Sequence, residues 1–508
     1  MLEDLCAQIA LRTGRPVFME LKRDEEFFAS RTRHPQRLTL KTGLTKDGMI
    51  VANELRILAN TGAYGTHGLT VQSNTGSKTL PFYRSPNLHF TAEVAYTNLP
   101  VAGAMRGYGG PQGYFALECH MDEVAHAMGM DPLELRRKNL IRLGDVDPIA
   151  TKLGEGKAGF ERVVRSCGLE ECIELAKAAV GDKSGSKRTN PFERTKRGIG
   201  FAVCMHGSGI AGDDVGGATI KVNEDGSFNL LVGATDLGTG SDTILAQMAA
   251  EVLGVGFEDI LVYSSDTDYT PFDVGAYASS TTYVSGTAVV KAAEQVREKL
   301  KIVAAGLLGE TPDGLTFDAG CFSAPGGKRV HIKEAALKSI YGEDKQQITE
   351  TASFLTFDSP PPFAACFAEV EVDLDTGAVK VVDVATAVDL GRAINPTLAE
   401  GQIIGSVSMG IGYALTEEMK FSPTGKMVNA SLMEYKVPTS LDLPEIKSFL
   451  VESVEPSGPF GAKSVGEICL DVVAPAIANA IYNATGVRLR DLPFTPERVW
   501  RALREAGL

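Results

Sequence analysis

Twice along this 508-residue chain the same order of signals recurs: a pair of alternating apolar and polar runs around a tight turn, a glycine-punctuated loop, then an apolar helix. The first copy runs from Ala218 to Gly233 around Asp225-Gly226 and leads into Asp242–Leu253. The second runs from Ala368 to Val388 around Asp375-Thr376-Gly377 and leads into Gly401–Leu415. Alternation with a period of two requires strands with one buried face, and a turn residue that tolerates positive φ closes each pair into a hairpin. With no fixed repeat period, solenoids are excluded, and the expected class is α+β, with mixed sheets and packed helices.

Elsewhere the same reasoning predicts a hairpin from Leu38 to Leu58 around Lys46-Asp47-Gly48, a strand at Asn87–Tyr96, and helices at Gly113–Met130, Pro132–Leu140 and Thr287–Leu308. Near the start, Leu5–Leu11 reads as the end of a helix stopped by Thr13-Gly14-Arg15-Pro16, with a strand expected at Val17–Leu21. A chain that opens inside an element carries the expectation that an upstream portion is a separate polypeptide or has been clipped. The polar, basic, breaker-rich stretch 181–198 reads as a linker or surface loop. The expected division is therefore a first region at 1–150, a linker at 151–198 and a second region at 199–508.

Hydrophobic residues at 44% and charged residues at 22% describe a folded chain rather than a disordered one. Fifty Lys and Arg against 64 Asp and Glu leave a net charge of −14, which argues against a nucleic-acid or anionic-membrane binder. Eight scattered cysteines are too sparse for a disulfide scaffold and fit a reducing cytoplasm, and neither they nor the seven histidines show zinc or iron–sulfur spacing. No apolar run reaches membrane-spanning length, and the N-terminus lacks a basic signal region. The 54 glycines therefore belong to turns and to close backbone approaches such as ligand loops.

Four loops concentrate that glycine. Ala104–Gln112 joins a strand to a helix and carries Arg106, Gly107 and Tyr108; it is either an anion- or ligand-facing loop or a tight turn with a surface arginine. Gly233–Asp242 is suited to a cofactor edge and equally to an N-capped helix, and the hydroxyl-rich Gly275–Thr282 suits a polar ring or an ordinary cap. Lys463–Cys469 places Glu467 ahead of an apolar helix, where spacing alone favours a carboxylate answering the helix dipole over a desolvated general base.

Taken in order, these loops resemble the molybdenum-binding subunit of the aldehyde oxidase and xanthine dehydrogenase family. Thr13-Gly14-Arg15-Pro16-Val17, Glu134–Leu140, Asn395-Pro396 with Gly401-Gln402, and Leu492–Arg498 extend the resemblance along nearly the whole chain. It implies two elongated molybdopterin-binding domains, the C-terminal part of one at 1–150 and a second at 199–508. It also implies a molybdenum held by the pterin dithiolene rather than by side chains, with the cytosine dinucleotide form expected. Glu467 matches the catalytic glutamate that takes a proton as oxygen is delivered to an electron-poor carbon, a role for which burial is expected to raise its pKa. Tyr108 matches the aromatic that flanks the substrate ring. Arg106 with Gly107, and Ala278, match positions whose backbone lies beside the metal, and Thr235, Leu237, Gly238, Thr239, Gly240, Ser279, Ser280 and Gln402 fall in cofactor-contacting segments.

The chain departs from the family pattern in three places. Gly238-Thr239-Gly240 replaces the usual Gly-Gln-Gly, and Val71–Phe82 holds no arginine, leaving Lys78 as the one substrate-side cation there. The family's Gly-Gly-Gly-Phe-Gly segment would lie ahead of residue 1. The resemblance implies a small-molecule substrate and partners that carry this upstream half, iron–sulfur clusters and FAD. The expected activity is oxidation of a purine, a pyridine-type heterocycle or an aldehyde with water as the oxygen source, against the alternative of a catalytically inactive remnant. A plain nucleotide-binding module would need a Walker or Rossmann pattern, which is missing.

Overall fold

The computed structural model describes residues 2–153, 160–181 and 194–508. It opens with α1 (Leu2–Thr13), none of whose residues is buried, and Gly14 ends it at φ +64°. The strand expected at Val17–Leu21 does not form: it has no partner strand among the described residues, Phe18 is 85% exposed, and the chain turns into α2 (Arg23–Ala29). A strand needs its ladder as well as its pattern.

β1 (Gln36–Leu44) and β2 (Ile50–Gly62) form the expected hairpin, with Gly48 at φ +87° in the turn. The chain then crosses through α3 (Gly68–Thr79) to β3 (Leu88–Tyr96), which runs parallel to β2. α3 escapes prediction because its sequence, GLTVQSNTGSKT, is rich in poor helix formers. It persists because its buried polar side chains find partners outside the helix, Gln72 Oε1 accepting from Gln36 Nε2 and Thr75 Oγ1 donating to the Gly109 carbonyl at 3.2 Å. α4 (Gly110–Met128), α5 (Pro132–Asn139), α6 (Leu169–Val180) and β4 (Thr195–Met205) follow. α6 lies within the segment expected to link the regions and buries Leu169, Cys172, Ile173, Ala176 and Val180; the breaker-rich part at 182–193 lies outside the described residues.

The two predicted hairpins are present as β5 (Val215–Val222) with β6 (Phe228–Val232), and, after the intervening elements below, as a second antiparallel pair. α7 (Ser241–Leu253) leads to β7 (Ile260–Ser264), parallel to β6. Next come α8 (Val284–Leu308), a small sheet of β8 (Thr316–Asp318), β9 (Cys321–Ser323) and β10 (Arg329–His331), then α9 (Ile332–Tyr341) and β11 (Thr349–Leu355). β12 (Phe363–Asp373) and β13 (Val379–Asp389) form the second hairpin, and α10 (Pro396–Leu415) crosses to β14 (Ile446–Val451), parallel to β13. α11 (Cys469–Thr485) and α12 (Pro496–Glu505) close the chain. The hairpin–helix–parallel-strand plan thus occurs three times rather than two. Its first copy was hidden by α3.

The strand orders are β1-β2-β3, β10-β9-β8, β11-β5-β6-β7 and β14-β13-β12-β4. One core unites α4, α6, β4, β12, β13, α10 and α11, and a second fills the space between the β5–β7 sheet and helices α7–α9. α11, largely apolar and with Asp471 as its one charged residue, sits against β4, where Gly198 and Gly200 permit close approach; a Cβ at Gly200 would collide with the backbone of Ala476 and Ala480. α4, α5 and β4 are also tied by a fully buried ion pair. Glu118 on α4 accepts from Arg136 Nε at 2.9 Å, from the Val203 amide at 3.1 Å and from the Tyr83 hydroxyl.

A candidate cofactor cleft and its carboxylate

The four glycine loops, up to 360 residues apart in sequence, converge on one cleft of about 1030 Å³. The loop before α4, the start of α7, the segment before α8, the first turns of α10 and the loop before α11 form its walls, joined by one face of α3 and the turn after β4. Of the residues singled out from sequence, Lys78, Arg106, Tyr108, Glu467, Gln402, Ala278 and Ser279 line it. So do Leu237, Gly238 and Thr239. Gly107 sits just behind the wall with its amide turned to Glu467, whereas Thr235, Gly240 and Ser280 are not on the wall; Gly240 packs toward Leu398, and Ser280 is buried.

Glu467 is the focus of this geometry. Its Oε1 accepts from the Gly107 amide at 2.8 Å, and its Oε2 accepts from Ser279 Oγ at 2.9 Å and lies 3.5 Å from His206 Nε2. It does not answer the dipole of α11, the role that spacing alone favours. Of the six non-glycine residues with positive φ among the described residues, three, Tyr108 (+37°), Ala278 (+51°) and Ser279 (+53°), lie in the two loops that hold this carboxylate. Such conformations cost on the order of 1–3 kcal/mol each and gather where geometry is fixed for function.

The electrostatics correct one expectation. Burial does push the Glu467 carboxyl up, but the hydrogen bond and charge of His206, the charge of Lys78 and the Gly107 amide together outweigh it and hold the group well below the usual carboxylate range. His206 closes the end of β4, 3% exposed, and its Nδ1 lies 2.9 Å from Asp471 Oδ2. Burial and Lys78 push the imidazole down, yet Asp471 and the hydrogen bonds to both carboxylates leave it raised. Asp471 is itself raised, by burial. Neither residue was singled out from sequence. The available signals were a histidine between an apolar strand and Gly207-Ser208-Gly209, and the one charge inside a largely apolar helix.

Two expected ligand contacts turn out to be occupied within the protein. Lys78 Nζ donates to the Gly107 and Tyr108 carbonyls at 2.9 and 3.3 Å, so it braces the loop. Arg106 donates from Nε to the Gly466 carbonyl at 2.6 Å and from a terminal nitrogen to Gln402 Oε1 at 3.0 Å, tying its own loop to the loop before α11 and to α10; Gln402 is thereby an internal partner as well as a wall residue. The Tyr108 hydroxyl lies 2.6 Å from His67 Nδ1 and 2.7 Å from Thr70 Oγ1, and His67 Nε2 lies 3.0 Å from an Arg31 nitrogen.

The α7 side fits an added ligand. Asp236 Oδ1 accepts from the amides of Gly238, Thr239 and Gly240 at 2.8, 2.9 and 3.2 Å, which fixes the loop. The Thr239 and Ser241 hydroxyl oxygens, both on the cleft wall, are buried without a protein partner, and a Cβ at Gly238 would meet nothing within 4 Å. Orphaned hydroxyls beside open space are groups that a bound polar molecule would satisfy. Among the described residues there is no cluster of three or more His, Cys, Asp or Glu that could hold a metal ion. No described helix is long and apolar enough to cross a membrane.

Comparison with known proteins bears on what that molecule is. The molybdopterin cofactor-binding domain family matches residues 1–140 and, in a second model of the same description, residues 175–444. A putative xanthine dehydrogenase molybdenum-binding subunit of Escherichia coli (strain K12) is 38% identical over 504 residues, covering 97% of this chain and 66% of the relative. A probable xanthine dehydrogenase subunit from Bacillus subtilis (strain 168) is 31% identical over 521 residues, covering 100% of this chain and 67% of the relative. The crystal structure of quinoline 2-oxidoreductase from Pseudomonas putida 86 superposes with a TM-score of 0.90 at 27% identity, covering 99% of this chain and 66% of that one. The chain thus spans about two thirds of the length of these relatives.

Proposed function

The chain belongs to the molybdopterin cofactor-binding family of molybdenum-binding subunits, and from that premise we propose that it is the cofactor-binding part of a molybdenum hydroxylase. Such an enzyme oxidises an electron-poor carbon of a purine, a pyridine-type heterocycle or an aldehyde, with water as the oxygen source. The observation that carries the reading is the Glu467 carboxylate, held at the cleft by the Gly107 amide and the Ser279 hydroxyl with His206 at 3.5 Å.

When bound, molybdopterin supplies a metal that accepts two electrons and activates oxygen. Leu237–Thr239 with Ser241, Ala278–Ser279, Arg106 and Gln402 would hold it. Glu467 then serves as general base. Ionised across the working pH range, it is always ready to accept a proton, but it is weakly basic and removes only one already acidified at its source. Tyr108, held at its hydroxyl by His67 and Thr70, offers its ring face to a planar substrate. The remaining parts of the proposal are the cytosine dinucleotide form of the pterin, a cytoplasmic setting, and partner subunits that carry the iron–sulfur clusters, FAD and the upstream portion of the molybdenum subunit. The inactive-remnant alternative is disfavoured by the assembled base and the strained loops around it.

Metal and pterin analysis of the chain purified with its native partners should find both; their absence would sink the proposal. Substrate choice supplies a further prediction. Since Lys78 is spent on the Gly107 and Tyr108 carbonyls, it does not replace the arginine missing from Val71–Phe82. A charge-assisted hydrogen bond contributes about 1.5–3 kcal/mol, so kcat/KM for xanthine should trail that for hypoxanthine by roughly one to two orders of magnitude. Lys78→Met should lower both alike, by loosening the Tyr108 loop. A selective loss of xanthine turnover in that variant would restore Lys78 to the substrate.

A further inference from the structure

Glu467, in the turn just before α11, and Asp471, in the first turn of that helix, are four residues apart, and both carboxylates reach the same imidazole. Between them lies one imidazole, with His206 Nδ1 2.9 Å from Asp471 Oδ2 and Nε2 3.5 Å from Glu467 Oε2. Two carboxylates this close repel, and a cation between them lowers the cost of keeping both charged. The imidazole is held from behind as well: its backbone amide donates to the Pro362 carbonyl at 3.2 Å, and its carbonyl accepts from Arg162 at 3.4 Å. Ser464, whose amide donates to Ser208 Oγ at 3.0 Å, stitches the turn after His206 to the loop that carries Glu467.

We propose that His206, backed by Asp471, is a positioning residue that fixes the Oε2 edge of Glu467 and keeps that carboxylate charged. The mechanistic meaning rests on the proposed function, but the arrangement itself does not. With Nδ1 facing Asp471 and Nε2 facing Glu467, the imidazole in its charged form presents one N–H to each carboxylate. Other groups face the same charges. Lys78 on α3 acts on all three, Arg33 on Glu467 and Asp471, and Arg106 on Glu467, while Tyr114, Tyr413, Cys204 and Cys469 adjoin Asp471 as neutral acids. Lys78 and Arg106 remain when His206 is removed, so the base is weakened in its charge control rather than stripped of it.

The sign follows from burial. With the imidazole gone, desolvation of Glu467 is less opposed, its proton is held to higher pH, and the carboxylate is lost from the acid side upward. In His206→Gln the acid limb of the kcat/KM profile of the assembled enzyme should move up by at least about one pH unit. Asp471→Asn removes the charge behind the imidazole but also the repulsion that Asp471 exerts on Glu467, so the two effects oppose and its net shift should be small. A purely structural role would lower turnover evenly and leave the limb in place. Independently of turnover, infrared titration of the carboxylate band of the same complex stripped of cofactor, assigned by difference against Glu467→Gln, should show the same upward shift. If His206→Gln fails to fold, His206→Asn, which also removes the imidazole but leaves Asp471 in place, decides. A Glu467 titration unmoved in the folded His206 variant overturns the proposal, whether or not the complex contains molybdenum; a shifted titration in a complex that never binds the cofactor would overturn only the proposed function.

Discussion

Glu467→Gln should leave molybdenum and pterin content near that of the parent while turnover falls by at least about 10²–10⁴-fold, the usual consequence of losing a positioned general base. The amide is nearly isosteric, and its oxygen can still accept from the Gly107 amide or from Ser279 Oγ, both within 2.9 Å of the native carboxylate. It cannot take a proton. The cleft should therefore keep its shape, because the loops are held chiefly by Arg106 on Gly466 and Gln402 and by Lys78 on Gly107 and Tyr108. Turnover within a few-fold of the parent, at equal metal loading, would remove Glu467 from the chemistry. Lost loading would instead mean that the carboxylate supports the cofactor loops rather than the reaction.

The second large effect concerns stability. Glu118→Ala should destabilise the chain by about 3–5 kcal/mol, the range for removing one partner of a buried ion pair. Arg136 is fully buried and would keep its charge without its carboxylate, while the Tyr83 hydroxyl and the Val203 amide would lose their acceptor. Because these groups sit on α4, α5, β4 and the segment before β3, the loss falls where the β1–β3 region meets the sheet of β4, β12 and β13. A fall in the urea midpoint and faster proteolysis would both register it. Glu118→Gln, which keeps an acceptor oxygen but not the charge, should retain part of the stability. An unchanged midpoint in the alanine variant would show that Arg136 finds another partner.

Elements whose signals are local were legible in the residues alone. The alternating runs around Lys46-Asp47-Gly48, Asp225-Gly226 and Asp375-Thr376-Gly377 each form a hairpin, and the apolar periodicity of Gly113–Met130 and Thr287–Leu308 corresponds to α4 and α8. Pattern and turn chemistry act over a few residues, so the sequence states them directly. The motif order of the four glycine loops likewise announced the family. Tertiary contacts decided the rest. Val17–Leu21 has a strand's pattern but no neighbour to pair with among the described residues, and α3 has a poor helical sequence but a buried site that holds it. The state of Glu467 could not be read from its own loop. Burial alone pushes a carboxylate's pKa up, and the sign reverses here because His206, 261 positions earlier, and Lys78, earlier still, are brought against it. Which neighbours a buried charge meets is settled by chain crossings over hundreds of residues, and in a poorly solvating interior those neighbours outweigh anything the local sequence specifies.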